Sequence, residues 1–462
     1  MSKKIRNSIL IAMFCTFGAL SNMNSQSIAA GGYRSTFVCN DGTAKAVGKN
    51  EFGQLGAGPG SSSTASPVSV ANLTGITAVA GIGEHCVFLK NNGTAWAAGY
   101  NAFGQLGDGT SLNRNIPTQV VGLTGINAVA GGQVHSHFLK NDGTVWAAGN
   151  NAIGQLGDGT TVNKSTAVQV SGLTGIIAIA AAYNHSLFVK NDGTVWAVGS
   201  NQFGQLGDGT TATIRTLPVQ VVGLTGITAV TGGQSHSLFL KNDGTVWSVG
   251  SNMNGQLGDG TTLSKNTPVL IAGLTGIIAV AAGYNQSYFV KNDGTVWAVG
   301  RNQSGALGDG TNVDRISPVQ VLGLANIISV AAGGLHAIFL RIDGAVYTVG
   351  LNGNGQLGDG NNVDKFTSIQ VPGLCSALGI PEPSVMKAVY IYPNPCSDQL
   401  FIESEEYHNT IVEIFNLRGQ LLQSIPLQTF KTTLQINHLT GGIYLVQVKN
   451  PKGMMIQKIV KY

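Results

Sequence analysis

Charge is what this chain lacks most. Asp, Glu, Lys and Arg make up 10% of its 462 residues, where an average soluble protein has about 25%. Disorder does not follow, because hydrophobic residues reach 43% and disordered chains combine low hydrophobicity with high net charge. Proline is scarce as well, at 13 residues, which excludes a collagen-like or Pro/Gly-rich tract. Beyond the N-terminus no apolar run approaches the roughly 18 residues of a membrane helix, so no transmembrane segment is expected in the mature chain. No stretch shows the helical period between start and stop signals. There is no Gly-x-Ser-x-Gly elbow and no phosphate loop ending in Lys-Ser/Thr, which removes the commonest serine-hydrolase and nucleotide-binding signatures. The net charge of +4 comes from the ends: Lys3, Lys4 and Arg6 open the chain, while residues 27–384 carry 16 Lys or Arg against 17 Asp or Glu. The bulk of the chain therefore offers no basic surface to nucleic acid.

Glycine is in excess, at 65 residues, about twice the usual share, and it recurs periodically. Gly-Gln-Leu-Gly starts at Gly53, Gly104, Gly154, Gly204, Gly255 and Gly355, with Gly-Ala-Leu-Gly at Gly305, so the spacing is always 50 or 51 residues. One unit, read from His236, contains four strand signals: His236 to Lys241, Thr245 to Gly250 carrying Trp247, Pro268 to Ile271, and Gly276 to Ala282. Asn242-Asp243-Gly244 between the first two is a hairpin turn. Four strands in about 50 residues is the size of a propeller blade. The last strand is built of small residues, and Ala80, Ala130, Ala180, Thr231, Ala281 and Ala331 suit a crowded central axis. The sequence thus predicts an all-β, seven-bladed β-propeller over 27–374. Residues 27–32 resemble the small-residue strand, and the seventh unit stops at Leu374 before that strand recurs. The N-terminal strand is therefore expected to complete the last blade, closing the ring and leaving no open edge.

Lys3, Lys4 and Arg6 precede an apolar run from Ile9 to Leu20, followed by Ser21 and polar residues. That is the pattern of a secretory signal peptide, read as residues 1–21 with cleavage after Ser21. Export places the mature chain where disulfides persist. Cys39 and Cys86 lie about 13 Å apart along the strand direction in the repeat alignment, too far to bridge, and are expected as two buried thiols. Cys375 and Cys396 flank a linker at 375–386, and the sequence leaves open whether they pair.

The repeat motifs resemble those of the regulator of chromosome condensation family. The matching residues are Gly232-Gly233-Gln234-Ser235-His236-Ser237 with Thr231 for the usual alanine, Asp243-Gly244-Thr245-Val246-Trp247, Gly250-x-Asn252-x-x-Gly255-Gln256-Leu257-Gly258 and Pro268-Val269. The resemblance implies a seven-bladed propeller. The family's eponym is a nuclear guanine-nucleotide exchange factor that uses an extra wedge in one blade, and the uniform spacing here leaves no room for one. A fold hosts many functions, so the role is read from the residues.

Composition shifts after the linker. Glycine falls, charge rises, and six or seven short strand signals over 387–462 suggest a small β-sandwich. Tyr392-Pro393-Asn394-Pro395, Asp398 with Leu400, Val412-Glu413-Ile414-Phe415-Asn416 with Gly419, Leu439 with Gly442-Ile443-Tyr444, and Gln457-Lys458-Ile459-Val460 are similar to the C-terminal sorting domain of type IX secretion, type A (Por). The resemblance implies that residues 387–462 are read by the outer-membrane secretion machinery and removed. The cargo is then secreted or attached to the outer cell surface.

The ring of His85, His135, His185, His236 and His336, with Arg34 and Gln286 at the other two positions, tempts a catalytic reading. Repetition argues for structure instead, each side chain bonding backbone within its own blade, because catalysis needs convergent, dissimilar groups. The aspartates of the Gly-Asp-Gly segments are read as turn formers rather than calcium ligands, and His135 with His137 lacks a third zinc ligand nearby in sequence. No catalytic residue, metal or cofactor is expected. Two features suit binding. The loops after the small-residue strands differ between units and should surround one channel mouth, with Tyr33, Arg34, Glu84, Tyr183, Asn184, Tyr284 and Asn285 as paratope-like chemistry. Arg114, Lys164, Arg215, Lys265, Arg315 and Lys365 share one repeat position, either as a cationic ring for an anionic surface polymer or, the preferred reading, as duplicated loop charges. The expected function is an exported, non-enzymatic binding module for a surface protein or glycan. The alternative is a secreted lyase or hydrolase built around Arg34, Glu84 and His85. Guanine-nucleotide exchange conflicts with export.

Overall fold

The computed structural model describes residues 27–60, 62–375, 389–405, 407–416, 421–450 and 453–462. The expected signal peptide and all of the expected linker beyond Cys375 lie outside the described residues. Two compact units divide the chain between Cys375 and Ser376.

The described residues of the first unit form seven four-stranded antiparallel sheets. In the fifth blade the strands are Ile227–Gly232, His236–Lys241, Val246–Gly250 and Lys265–Leu270. The first is the inner strand and the last is the outer one. Residues 233–235 make a short hairpin connection, which pairs the small-residue strand with the strand that follows it rather than the one before. The blade is therefore one strand out of phase with the unit drawn from His236. The same phase holds at the chain's start. Ile28–Ala30 pairs with Arg34–Val38, with Ile28 opposite Phe37 and Ala30 opposite Ser35. It is the inner strand of the first blade and does not complete the last, which has its own inner strand, Ile327–Ala332.

Ring closure then falls to the seam between first and last blades. Ile28, Ala30, Phe37 and Val47 bury against Ile338, Leu340, Val346 and Leu374 in one apolar cluster. Lys45 Nζ donates to Gly373 O at 2.8 Å. Cys39 and Cys375 form a disulfide, with Cα atoms 5.6 Å apart. The expectation of a thiol at Cys39 is corrected. Its repeat neighbour Cys86 is free and buried, as expected, and Cys396 is also a free, buried thiol, so it does not pair with Cys375. The partner was missed because it sits on the far side of the seam, 336 residues away.

The small residues do line the axis: Ala80, Ala130, Ala180, Thr231, Ala281 and Ala331 border a central cavity of about 90 Å³. Gly-Gln-Leu-Gly lies at the contact between blades. Gly255 has φ +80°, and a Cβ there would stand 2.6 Å from Ile316 Cα of the next blade, so only glycine fits.

The second unit packs a three-stranded sheet (Val389–Tyr392, Gln399–Ser404, Lys431–Gln435) and a four-stranded sheet (Leu421–Pro426, Ile411–Asn416, Gly442–Asn450, Gly453–Lys461) around one core. Ile391, Leu400 and Leu434 of the first meet Val412, Ile414, Val446 and Ile459 of the second, as the alternation predicts for a sandwich.

Candidate functional site

The repeated histidines bridge blades. His236 Nε2 lies 3.0 Å from Ser287 Oγ in the next blade, and Ser287 Oγ donates to Gln256 O at 2.7 Å. Since the serine proton goes to the carbonyl, the imidazole is the donor and holds its proton on Nε2. The same clasp joins His85 to Ser136, His135 to Ser186, His185 to Ser237 and, across the closing seam, His336 to Ser35. The expected bond within each blade is thereby corrected to one between blades. Burial holds all these imidazoles neutral: it pulls His85 and His185 down to about 3 and His236 and His336 to about 4.

The two exceptions are paired substitutions. Where Cys86 replaces the serine, Arg34 replaces the preceding blade's histidine and donates to the carbonyls of Gly83 (2.7 Å), Gly81 (3.3 Å) and His85 (2.5 Å). Where Ala337 replaces the serine, Gln286 donates instead to Gly334 O at 2.9 Å, and the Tyr288 hydroxyl takes over the orphaned Ala306 carbonyl at 2.7 Å. Arg34 is 1% exposed and His85 fully buried, so neither presents a free group to the channel mouth.

The six cations are paired too. Arg114, Arg215 and Arg315 lie 2.8, 2.7 and 2.6 Å from Asp108, Asp208 and Asp309. Lys164, Lys265 and Lys365 lie 3.4, 3.6 and 3.2 Å from Asp158, Asp259 and Asp359. Each aspartate also caps its own turn, as Asp208 does by accepting the Thr210 N–H and hydroxyl and the Asn201 amide. Burial raises the Asp208 pKa, and the bonds from Thr210 and Arg215 more than offset it, so the net shift is downward. The ring is therefore charge-balanced, which supports the plainer of its two readings. The first blade lacks both members, having Ala57 and Thr64 in their places.

The mouth residues do gather. Tyr183 and Tyr284 meet edge to face with centroids 5.4 Å apart, a favoured aromatic geometry. Burial, then Tyr183, Tyr33 and Glu84, push the Tyr284 hydroxyl well above the usual tyrosine range, so these groups share one electrostatic neighbourhood. Glu84 accepts from Gln54 and lies 3.6 Å from Lys49, whose ammonium stands 5.8 Å from the centre of the Tyr33 ring. Asn184 and Asn285 flank the tyrosines, and Asn285 Oδ1 accepts from Gln256 at 3.4 Å. Sequence reasoning missed a neighbouring aromatic row. Phe52 packs 4.9 Å from Tyr100, which packs 6.2 Å from Phe103, and Lys49 sits 5.7 Å from the Phe52 ring centre. The available signal was the residue before each Gly-Gln-Leu-Gly: Phe52, Phe103, Ile153 and Phe203 in four blades, but Asn254, Ser304 and Asn354 in the other three.

A ring of seven contiguous four-stranded blades, clasped by buried His–Ser pairs and followed by a small sandwich, defines a propeller of repeated units. Residues 126–389, more than half of the chain, match the RCC1-like domain, and residues 92–139 match the regulator of chromosome condensation (RCC1) repeat. The chain belongs to the RCC1-like domain family. Residues 390–462 match the secretion system C-terminal sorting domain, which marks the chain for secretion. Probable E3 ubiquitin-protein ligase HERC6 of Homo sapiens is 36% identical over 100 residues, 21% of this chain and only 10% of that protein. Human WBSCR16 superposes with a TM-score of 0.63 at 22% identity, covering 70% of this chain and 92% of that one. Yeast RCC1 (Prp20), solved bound to Kap60, gives 0.65 at 20% identity over 80% and 91%. These two likenesses show the fold alone.

Proposed function

We propose that this chain is an exported, non-enzymatic binding module that presents the mouth of its propeller to a protein or glycan at the outer cell surface. One observation carries the reading. The buried positions repeat almost unchanged around the ring, while the loops that differ bring Tyr33, Glu84, Tyr183 and Tyr284 together at one end. Tyrosines offer large, rigid contact area at low entropic cost. The enzymatic alternative asks for reactive groups at that mouth, and its candidates are engaged: Arg34 on three carbonyls and His85 on Ser136. In this reading residues 387–462 engage the outer-membrane type IX machinery and are removed on export. The test is binding of the purified full chain to the outer surface of producing cells that lack it. Wild type is expected to bind saturably, and Tyr183→Ser with Tyr284→Ser to lose that binding while keeping a single cooperative unfolding transition. Equal binding by both proteins refutes the mouth as the binding face, and binding by neither refutes the binding-module reading.

A further inference from the structure

In six blades the loop between third and fourth strands is filled by the aspartate–cation pair. In the first blade Ala57 and Thr64 remove both members together, so no charge is stranded. A cleft of about 410 Å³ lies beside this loop, bordered by Asn50, Glu51, Phe52, Pro59, Asn113 and Asn115. That volume falls within the ~300–1,000 Å³ typical of small-molecule sites. Gly58 and Gly60 also border it, and a Cβ added to either meets nothing within 4 Å. Gly60 is exposed and faces open space, while Gly58 is buried.

The lining is suited to hydroxyl groups. Asn266, at the repeat position of Asn115, donates its amide to Gly209 O of the preceding blade at 3.0 Å. Asn115 is exposed, and among the described residues its side-chain amide makes no such bond; its backbone carbonyl accepts from Gly58 N at 2.8 Å. An amide both donates and accepts, as a sugar hydroxyl does. Glu51 adds acceptors; Lys49 lies 3.0 Å from it and 3.6 Å from Glu84, so the three keep one net negative charge, which disfavours an anionic ligand. Phe52, half-buried and braced by Tyr100, supplies an apolar wall for a pyranose face.

We infer that this cleft between the first and second blades binds a neutral oligosaccharide. The inference rests on the reading of this chain as a surface-binding module and adds a place and a ligand class. The full chain is tested against immobilised neutral gluco-, manno- and galacto-oligosaccharides, from di- to hexasaccharides. At least one is expected to be retained. Asn115→Ala should weaken it about tenfold, or ~1.4 kcal/mol, and Gly60→Trp, which fills the cleft, should abolish it. Tyr183→Ser with Tyr284→Ser should leave it intact. No retention of any oligosaccharide, or retention indifferent to Asn115→Ala and Gly60→Trp, overturns the inference. Retention lost only in the tyrosine variant overturns the cleft but leaves the binding-module reading standing. Absence of both oligosaccharide and cell-surface binding removes both.

Discussion

Acid should dismantle this propeller in a pH range where its carboxylates are still ionised. His85, His135, His137, His185, His236 and His336 are all buried and held neutral, with native values of about 3 or 4 where resolved and in the same direction for His135. The unfolded chain takes up a proton on each near pH 6.5. Below that pH the unfolded state binds more protons than the native one, so stability falls as pH falls, until the native values are reached. Between pH 7 and pH 5 each histidine costs roughly 2 kcal/mol, and six cost on the order of 11 kcal/mol. Ordinary domains have about 5–15 kcal/mol to lose. The aspartates with lowered values act in a separate window, below about pH 4, because their unfolded value is 3.8. Urea unfolding followed by tryptophan fluorescence at pH 7.5, 6.5, 5.5 and 4.5 reads the slope. His236→Gln should reduce that slope by about one sixth, whatever it does to stability at pH 7.5. A urea midpoint that stays flat from pH 7.5 to 4.5 refutes the reasoning.

Three further outcomes follow from the same geometry. Ser287→Ala leaves the His236 Nε2–H and the Gln256 carbonyl without their shared partner and should cost about 1–3 kcal/mol in urea unfolding, whereas Cys86→Ser should cost far less, because Arg34 already satisfies that seam. Reducing the Cys39–Cys375 bridge, or replacing both cysteines with serine, should cost about 2–4 kcal/mol and open the first and last blades to limited proteolysis before the middle ones. Asp208→Ala, which strips a turn cap as well as an ion pair, should destabilise more than Arg215→Gln, whose exposed half of the pair contributes at most about 1 kcal/mol; melting temperatures of the two variants decide the order.

The blade count was legible because Gly-Gln-Leu-Gly marks a contact that tolerates no side chain, and it marks it once per blade. The phase of the blade was harder to read. A small-residue strand looks alike whether it pairs forward or backward, and the three-residue hairpin at 233–235 was the cue that decided it. The ring's seam was illegible for a related reason: Cys39 and Cys375 become neighbours only once seven blades have closed. At the site, the tyrosines of the variable loops were found from their variation. The clasps were not, since the partner of His236 is Ser287, in a different repeat. Comparing units pairwise does expose them, because Arg34 accompanies Cys86 and Gln286 accompanies Ala337. The cations were visible and so were the aspartates, but their pairing depends on a loop path that one-dimensional spacing does not give.

The most direct test is intact mass and a non-reduced peptide map of this protein recovered from outside its producing cells. The expected product is a chain that has lost its first residues before Ser27 and its sorting domain after Cys375, with one linked peptide pair containing Cys39 and Cys375 and a thiol at Cys86. A full-length chain confined to the cell interior, with Cys39 and Cys375 both open to alkylation, would contradict it.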